Sequence, residues 1–241
     1  MPTLITLGHV RDVAARAGVT ERRAFNLLSD LTHRGEARRL SKGFYAPAHE
    51  RARRELAPTS AMRRIARAIA RELPALEPVI FSIGQVASLM HNAPAREIII
   101  VATSRSFARD LIRTLAATGF AAQVVSTRAD MDRLLDLPGD VLVAVLPIGE
   151  TRATAPFQGV RTARPERVLV DLAVERERDG LPLYDEDILA VGGNLLANYD
   201  FSISRALDYA RRRRAYDEIA RLLRVIVNAD PRLRTYEPAL P

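Results

Sequence analysis

The sequence predicts a mixed α/β protein, and two patterns predict it. Between residues 79 and 162 short β-type runs alternate with helix-type runs, as in a largely buried sheet covered by helices. Before and after that stretch, apolar residues recur mainly at spacings of three and four, so the chain opens and closes on helices. Its 241 residues, 48% of them apolar, suffice for one or two domains with cores of their own.

The first helix is carried by Val10, Val13, Ala14 and Ala17, with Arg11, Asp12 and Arg16 off that stripe. It stops at Gly18, which can take a left-handed conformation; Val19 anchors the corner and Thr20 supplies a hydroxyl cap for the next helix. In that second helix Ala24, Leu27, Leu28 and Leu31 form the stripe expected to be buried, while Glu21, Arg22, Arg23, Asn26 and Ser29 are left for solvent or a ligand. Gly35 ends it. The run from Glu36 to Pro47 alternates well enough for two short strands turning near Ser41–Gly43.

Helix, corner, helix and basic hairpin together read as a winged helix-turn-helix. In that arrangement the second helix enters the major groove of DNA with its N-terminal residues toward base edges, and the hairpin lies along the backbone. Arg22, Arg23 and Asn26 are the base-reading candidates, since Arg matches guanine and Asn matches adenine in bidentate fashion. Arg38, Arg39 and Lys42 would hold phosphates, and Thr20, which opens the recognition helix, completes the candidate set. Only Met1–Leu7 precede the pair, where a winged helix usually has another helix. The small core must be completed by Leu4, Ile5 and Leu7, by the helix near 59–73, or by a second subunit.

A charged connector carrying Arg51, Arg53 and Arg54 ends in Pro58-Thr59-Ser60, a breaker followed by a cap, which divides the chain into 1–58 and 59–241. The helix Ala61–Leu73 buries Met62, Ile65, Ala66, Ile69 and Leu73; Arg63, Arg64, Arg67 and Arg71 form a basic stripe opposite, read as a solvated face that could also extend a DNA footprint. The larger domain then runs Val79–Ser82, Ile83–His91, Ile98–Thr103, Phe107–Ala117, Ala122–Ser126, Asp130–Leu135 and Val141–Pro147 in β, α alternation. Its C-terminal part is helical, with segments at 165–177, 186–197, 203–212 and 216–227. The Arg211–Arg214 run at the end of a helix complements the dipole and is expected to be solvated.

Charge is segregated. The net +7 arises from 15 basic against 7 acidic residues in 1–72, whereas 73–241 holds 21 against 22. All but one of the basic residues are Arg, Lys42 being the exception; a compositional bias explains Arg over Lys but not the segregation. A localised positive field attracts polyanions, which makes nucleic acid the leading partner, double-stranded DNA given the winged helix, and an anionic membrane surface the competitor.

Catalytic chemistry is weakly represented. With no Cys there is no disulfide, thiol nucleophile or Cys-ligated metal. There is no phosphate loop and no Gly-x-Ser-x-Gly elbow, and Gly192-Gly193-Asn194 reads as a loop or helix interruption. The Asp130-Met131-Asp132 pair lacks the Gly-Ser turn of a nucleotidyltransferase, Asp185-Glu186-Asp187 reads as a helix cap, and His9, His33, His49 and His91 have no metal-ligand spacing. No catalytic residue, metal or cofactor is expected. The N-terminus lacks signal-peptide features and no apolar run approaches a membrane span, so the expectation is a cytoplasmic protein that does not enter a membrane.

The wing strand Arg39-Leu40-Ser41-Lys42-Gly43-Phe44-Tyr45-Ala46-Pro47, the stretch Arg164-Pro165-Glu166-Arg167-Val168-Leu169-Val170-Asp171-Leu172, and Asp208-Tyr209-Ala210-Arg211-Arg212-Arg213 resemble segments of the AbiEi-like antitoxins of bacterial type IV toxin–antitoxin systems. The resemblance implies a DNA-binding autorepressor of its own operon that also counters a nucleotidyltransferase-like toxin. It carries over Arg22, Arg23, Arg38, Arg39 and Lys42 as DNA contacts; Glu166, Arg167 and Asp171 match the second segment, where an ion-pair arrangement within a helix explains them sufficiently. A homodimer engaging two half-sites is the expected form on DNA. Two other readings remain at this stage: a nucleic-acid-targeted enzyme in which the winged helix delivers an α/β catalytic domain, and a protein-interaction adaptor.

Overall fold

The structure, a computed structural model, describes residues 5–34, 36–41, 43–47 and 55–240. It is mixed α/β, with a small three-stranded sheet near the N-terminus and a six-stranded sheet at the centre.

The N-terminal unit runs β1 (Ile5–Thr6), α1 (Leu7–Arg16), α2 (Glu21–His33), β2 (Ala37–Ser41) and β3 (Phe44–Pro47). The Thr6 hydroxyl accepts from the backbone N–H of His9 at 3.1 Å, and the Thr6 N–H donates back to the His9 ring, so α1 starts on a reciprocal cap. Gly18 sits at φ +64°, a conformation costly for other residues, and lets the Val19 N–H return to the Ala14 carbonyl. Thr20 then caps α2 as expected, accepting from the Arg23 N–H. The strands are antiparallel in the order β1-β3-β2, with Ile5 opposite Tyr45 and Arg39 opposite Tyr45 on the other side. At the hairpin turn Gly43 has φ +86° and a side chain there would press on Leu7, whose N–H donates to the Gly43 carbonyl at 3.1 Å.

Only part of the expected stripe is buried. Ala14 and Leu28 are in the core, but Val13 and Leu27 are each 55% exposed. Among the described residues only the two-residue strand β1 precedes the pair, and none covers the side on which Val13 and Leu27 lie. Of the residues expected to complete the unit, Leu4 lies outside the described residues and Ile5 and Leu7 are half-buried; the body of the protein supplies further packing. β2 lies against helix α8 (Ile203–Arg212), the hairpin meets a C-terminal 3-10 segment (Pro231–Ala239), and Phe44 joins the main core.

In the body, α3 (Ser60–Glu72) precedes β4 (Val79–Ser82), β5 (Glu97–Ala102), α4 (Ala108–Ala117), β6 (Ala121–Val124), α5 (Arg128–Leu135), β7 (Val141–Leu146), β8 (Thr154–Phe157) and β9 (Val160–Ala163). Then come α6 (Pro165–Asp179), α7 (Asp185–Asn198), α8 and α9 (Tyr216–Ala229). The sheet order is β6-β7-β5-β4-β9-β8; β6, β7 and β5 are mutually parallel, as are β4 and β9, while β4 against β5 and β8 against β9 are antiparallel.

Both faces of the sheet are covered, which is why its central strands are apolar throughout. Ile80, Ile99, Val101, Val143 and Val145 meet α3 and α4, while Phe81, Ile98, Ile100, Leu142 and Ala144 meet the layer that includes α5, α6 and the C-terminal helices. Three local expectations differ. Residues 83–91 form two 3-10 turns rather than one helix, the β8–β9 hairpin was not anticipated, and Gly192-Gly193 lies inside an uninterrupted α7. The last is a packing choice: a side chain at Gly192 would collide with Ile226 of α9.

Candidate nucleic-acid interface

The first two turns of α2 carry three of the predicted contacts. Arg22, Arg23 and Asn26 are exposed, and none of their side chains is paired with another described residue. Their neighbour Glu21 is engaged by Arg11 of α1 in an ion pair that bridges the helix corner, so the nearest carboxylate is already occupied. Thr20 sits at the mouth of the helix, where free backbone N–H groups and the dipole favour anions. Arg39 is exposed on β2, which packs beside α2. The Arg38 side chain and Lys42, also predicted contacts, lie outside the described residues.

A second cluster of charge was not expected to be what it is. Ten consecutive residues of α6, Glu166 to Glu175, are buried, including Glu166, Arg167, Asp171 and Glu175. Arg167 Nε donates to Asp171 at 3.0 Å, its Nη1 donates to the carbonyl of Glu150 at 2.7 Å, and its guanidinium lies 5.0 Å from the centroid of the Tyr209 ring. Asp171 also accepts from the Tyr209 hydroxyl at 2.8 Å and from Arg213, which reaches on to Glu175. Glu166 accepts from the Ser202 N–H and from Arg205, both at 2.8 Å.

The ion pair within the helix is therefore present, but most partners come from elsewhere. Arg213 is buried, against the expectation that the Arg211–Arg214 run is solvated, and the two C-terminal segments carrying the resemblance meet on one carboxylate. Burial raises the Glu175 carboxyl to about 8, assisted by its hydrogen bond with Asp179 and opposed by Arg213. Burial likewise raises Glu166 above the ordinary carboxyl range despite Arg205. Burial alone would lower Arg213, but Asp171 and Glu175 outweigh it and hold the guanidinium charged. Glu166, Arg167 and Asp171 are all at 0% exposure while Arg205 reaches solvent at its rim, and the cluster braces α6 against α8 and its following turn. The available sequence signal was Arg167, Asp171 and Glu175 at four-residue spacing, with only apolar residues between them.

The other acidic candidates are structural as well. Asp130 accepts from the Ser126 N–H and the Thr127 hydroxyl and pairs with Arg133; burial, the largest single influence, pushes its carboxyl up, but those hydrogen bonds and the Arg133 charge together outweigh it and hold the carboxyl below the usual range. Asp187, on the first turn of α7, is buried and accepts from the backbone of His91 and Asn92 at 3.0 and 2.9 Å, tying down the approach to β5. His9 caps α1; His49 lies outside the described residues, as does the His33 side chain. Among the described residues no three His, Asp or Glu side chains are arranged to hold a metal ion, and no helix is long and apolar enough to cross a membrane.

Residues 25–229 match DUF6577, a family of unknown function, and the chain belongs to that family. The match begins within α2, so it includes Asn26, Arg38, Arg39 and Lys42 and starts after Thr20, Arg22 and Arg23. No curated protein matches the chain.

Proposed function

We propose that this chain binds double-stranded DNA through its N-terminal unit, a winged helix-turn-helix with α2 in the major groove and the β2–β3 hairpin along the backbone. One observation carries the reading. Arg22, Arg23 and Asn26 stand exposed and unpaired with any described residue at the leading end of a capped helix, where guanidinium and amide groups match the edges of guanine and adenine. The strand–helix–helix–hairpin order and the three-stranded sheet support the fold assignment. Confinement of the net positive excess to residues 1–72 supports the partner.

The biological role follows from the resemblance to AbiEi-like antitoxins: a cytoplasmic, non-enzymatic autorepressor of its own operon and an antitoxin countering a nucleotidyltransferase-like toxin, working as a homodimer on two half-sites. The test is a gel-shift titration with the DNA upstream of the gene. The wild-type chain is expected to shift that fragment in preference to a scrambled one, and Arg22→Ala combined with Arg23→Ala to abolish the preference with an unchanged circular-dichroism spectrum. Equal operator affinity in the double variant would remove α2 from the interface. Co-expression with the product of the adjacent reading frame tests the antitoxin role: continued growth arrest in the presence of this chain would sink it.

A further inference from the structure

The basic stripe of α3 is solvent-exposed, as expected, and it borders a groove. The helix buries Met62, Ile65, Ala66 and Ile69 against the sheet and turns Arg63, Arg64, Arg67 and Arg71 outward. Arg64, Arg67, Ala68 and Arg71, with Thr118 and Phe120 from the turn between α4 and β6, line an open groove of about 270 Å³. Its floor is fixed: Phe120 is buried, and the Arg64 guanidinium lies over its ring at 4.8 Å from the centroid, which holds that cation in place.

The charge in this groove is poorly balanced. Glu72 pairs with Arg71 at 2.6 Å. The C-terminus of α4, capped by Thr118, contributes a partial negative charge of roughly one half. Three guanidiniums against those two sources leave more than one elementary charge uncompensated. Like charges three and four residues apart on a helix also repel, by a few tenths of a kcal/mol for each pair. An anion seated between them would relieve both effects.

We propose that the groove between α3 and the α4–β6 turn, lined by Arg64, Arg67 and Arg71, is a second nucleic-acid contact that holds the phosphodiester backbone without reading its sequence. Arg64 and Arg71 are seven residues apart, about 10 Å along the helix, so the cations form a row suited to successive phosphates rather than to one small anion. An acidic protein fits less well, because among the described residues Ala68 and the covered Phe120 are the only apolar ones lining the groove and provide no anchor for an interface core. The inference rests on the reading that this chain binds nucleic acid, but it makes α3 a contributor independent of α2.

The experiment is fluorescence anisotropy of the full chain with a labelled 20-base-pair duplex of scrambled sequence, between 50 and 300 mM NaCl, alongside the operator duplex. Arg64→Gln, Arg67→Gln and Arg71→Gln together are expected to lower affinity for both duplexes at least tenfold at 100 mM salt and to flatten log K against log salt by about 2 to 3. Arg67→Gln with Arg71→Gln keeps the Arg64–Phe120 stack and should give about two thirds of that change. Arg22→Ala with Arg23→Ala should lose operator preference yet retain most scrambled-duplex binding. An unchanged salt slope in the folded triple variant overturns the groove and leaves the α2 reading standing. A flattened slope with operator preference intact in the Arg22/Arg23 variant supports the groove and overturns α2. Equally tight binding to phosphatidylserine vesicles, lost in the triple variant, would reassign the groove to a membrane surface and overturn the proposal.

Discussion

Arg167 Nε donates to the carboxylate of Asp171 at 3.0 Å, one helical turn apart on α6, and neither side chain reaches solvent. The same carboxylate accepts from Tyr209 and Arg213, so one negative charge supports two buried guanidiniums and a phenol. Breaking a buried pair by removing one partner strands the other charge, which costs far more than losing an exposed pair. Asp171→Asn keeps the shape and removes the charge, and it is expected to lower unfolding stability by about 3 kcal/mol. Asp208→Asn, which breaks the exposed pair with Arg211, should change it by less than about 0.5 kcal/mol. Urea denaturation of the two variants checks both.

Glu175 gives the protein a pH-dependent stability of definite sign. Its carboxyl is raised to about 8 in the folded chain from an ordinary value of 4.5, so between those limits the folded state holds a proton that the unfolded state has released. Stability therefore falls as pH rises through that window, with a slope approaching about 1.4 kcal/mol per pH unit from this group. Thermal melts between pH 5.5 and 8.5 should show the melting temperature dropping toward the alkaline end, and Glu175→Gln should flatten the trend. A wild-type melting temperature that climbs with pH across the same range would contradict it.

The sequence made some of these features legible and concealed others, for physical reasons. Helix ends written in local chemistry were readable: Thr20 caps α2 and Gly18 takes the left-handed corner, because capping and positive φ depend on adjacent residues. The central strands were readable from their apolar runs. The exposure of Val13 and Leu27 was not, because a stripe of the right period says nothing about whether a neighbour exists to cover it. Nor was the burial of Arg213, whose partners Asp171 and Glu175 lie about forty residues earlier in the chain. The exposure of Arg22, Arg23 and Asn26 on α2 belongs to the first class and the α6 cluster to the second.

Gly192 and Gly193 are adjacent in α7 but face different surroundings. A Cβ at Gly192 would run into Ile226 of α9 and crowd Leu169 of α6, whereas at Gly193 nothing lies within 4 Å. Overpacking a tight helix contact costs about 1 to 3 kcal/mol, while replacing a mid-helix glycine with alanine in open space gains about 0.5 to 1 kcal/mol. Gly192→Ala should therefore destabilise the chain and Gly193→Ala should stabilise it. Opposite shifts of the urea midpoint are the expected result, and shifts of the same sign would mean that α7 and α9 are not in contact as described.

Arg39 and Asn26 should divide affinity from specificity. Arg39 is exposed on a strand of the hairpin and Asn26 on α2; under the proposed DNA-binding mode the guanidinium would meet phosphates and the amide an adenine edge. Arg39→Ala is expected to weaken operator and scrambled duplexes by the same factor, roughly three- to tenfold, and to reduce the salt slope by about 0.9, the share of one phosphate contact. Asn26→Ala should leave the salt slope unchanged and lower the operator-to-scrambled ratio about five- to a hundredfold, as expected for the loss of 1 to 3 kcal/mol of base discrimination. Paired anisotropy titrations on the two duplexes measure both quantities. A drop in the ratio for Arg39→Ala would move the hairpin from the backbone to the base edges, since phosphates carry no sequence information for it to lose.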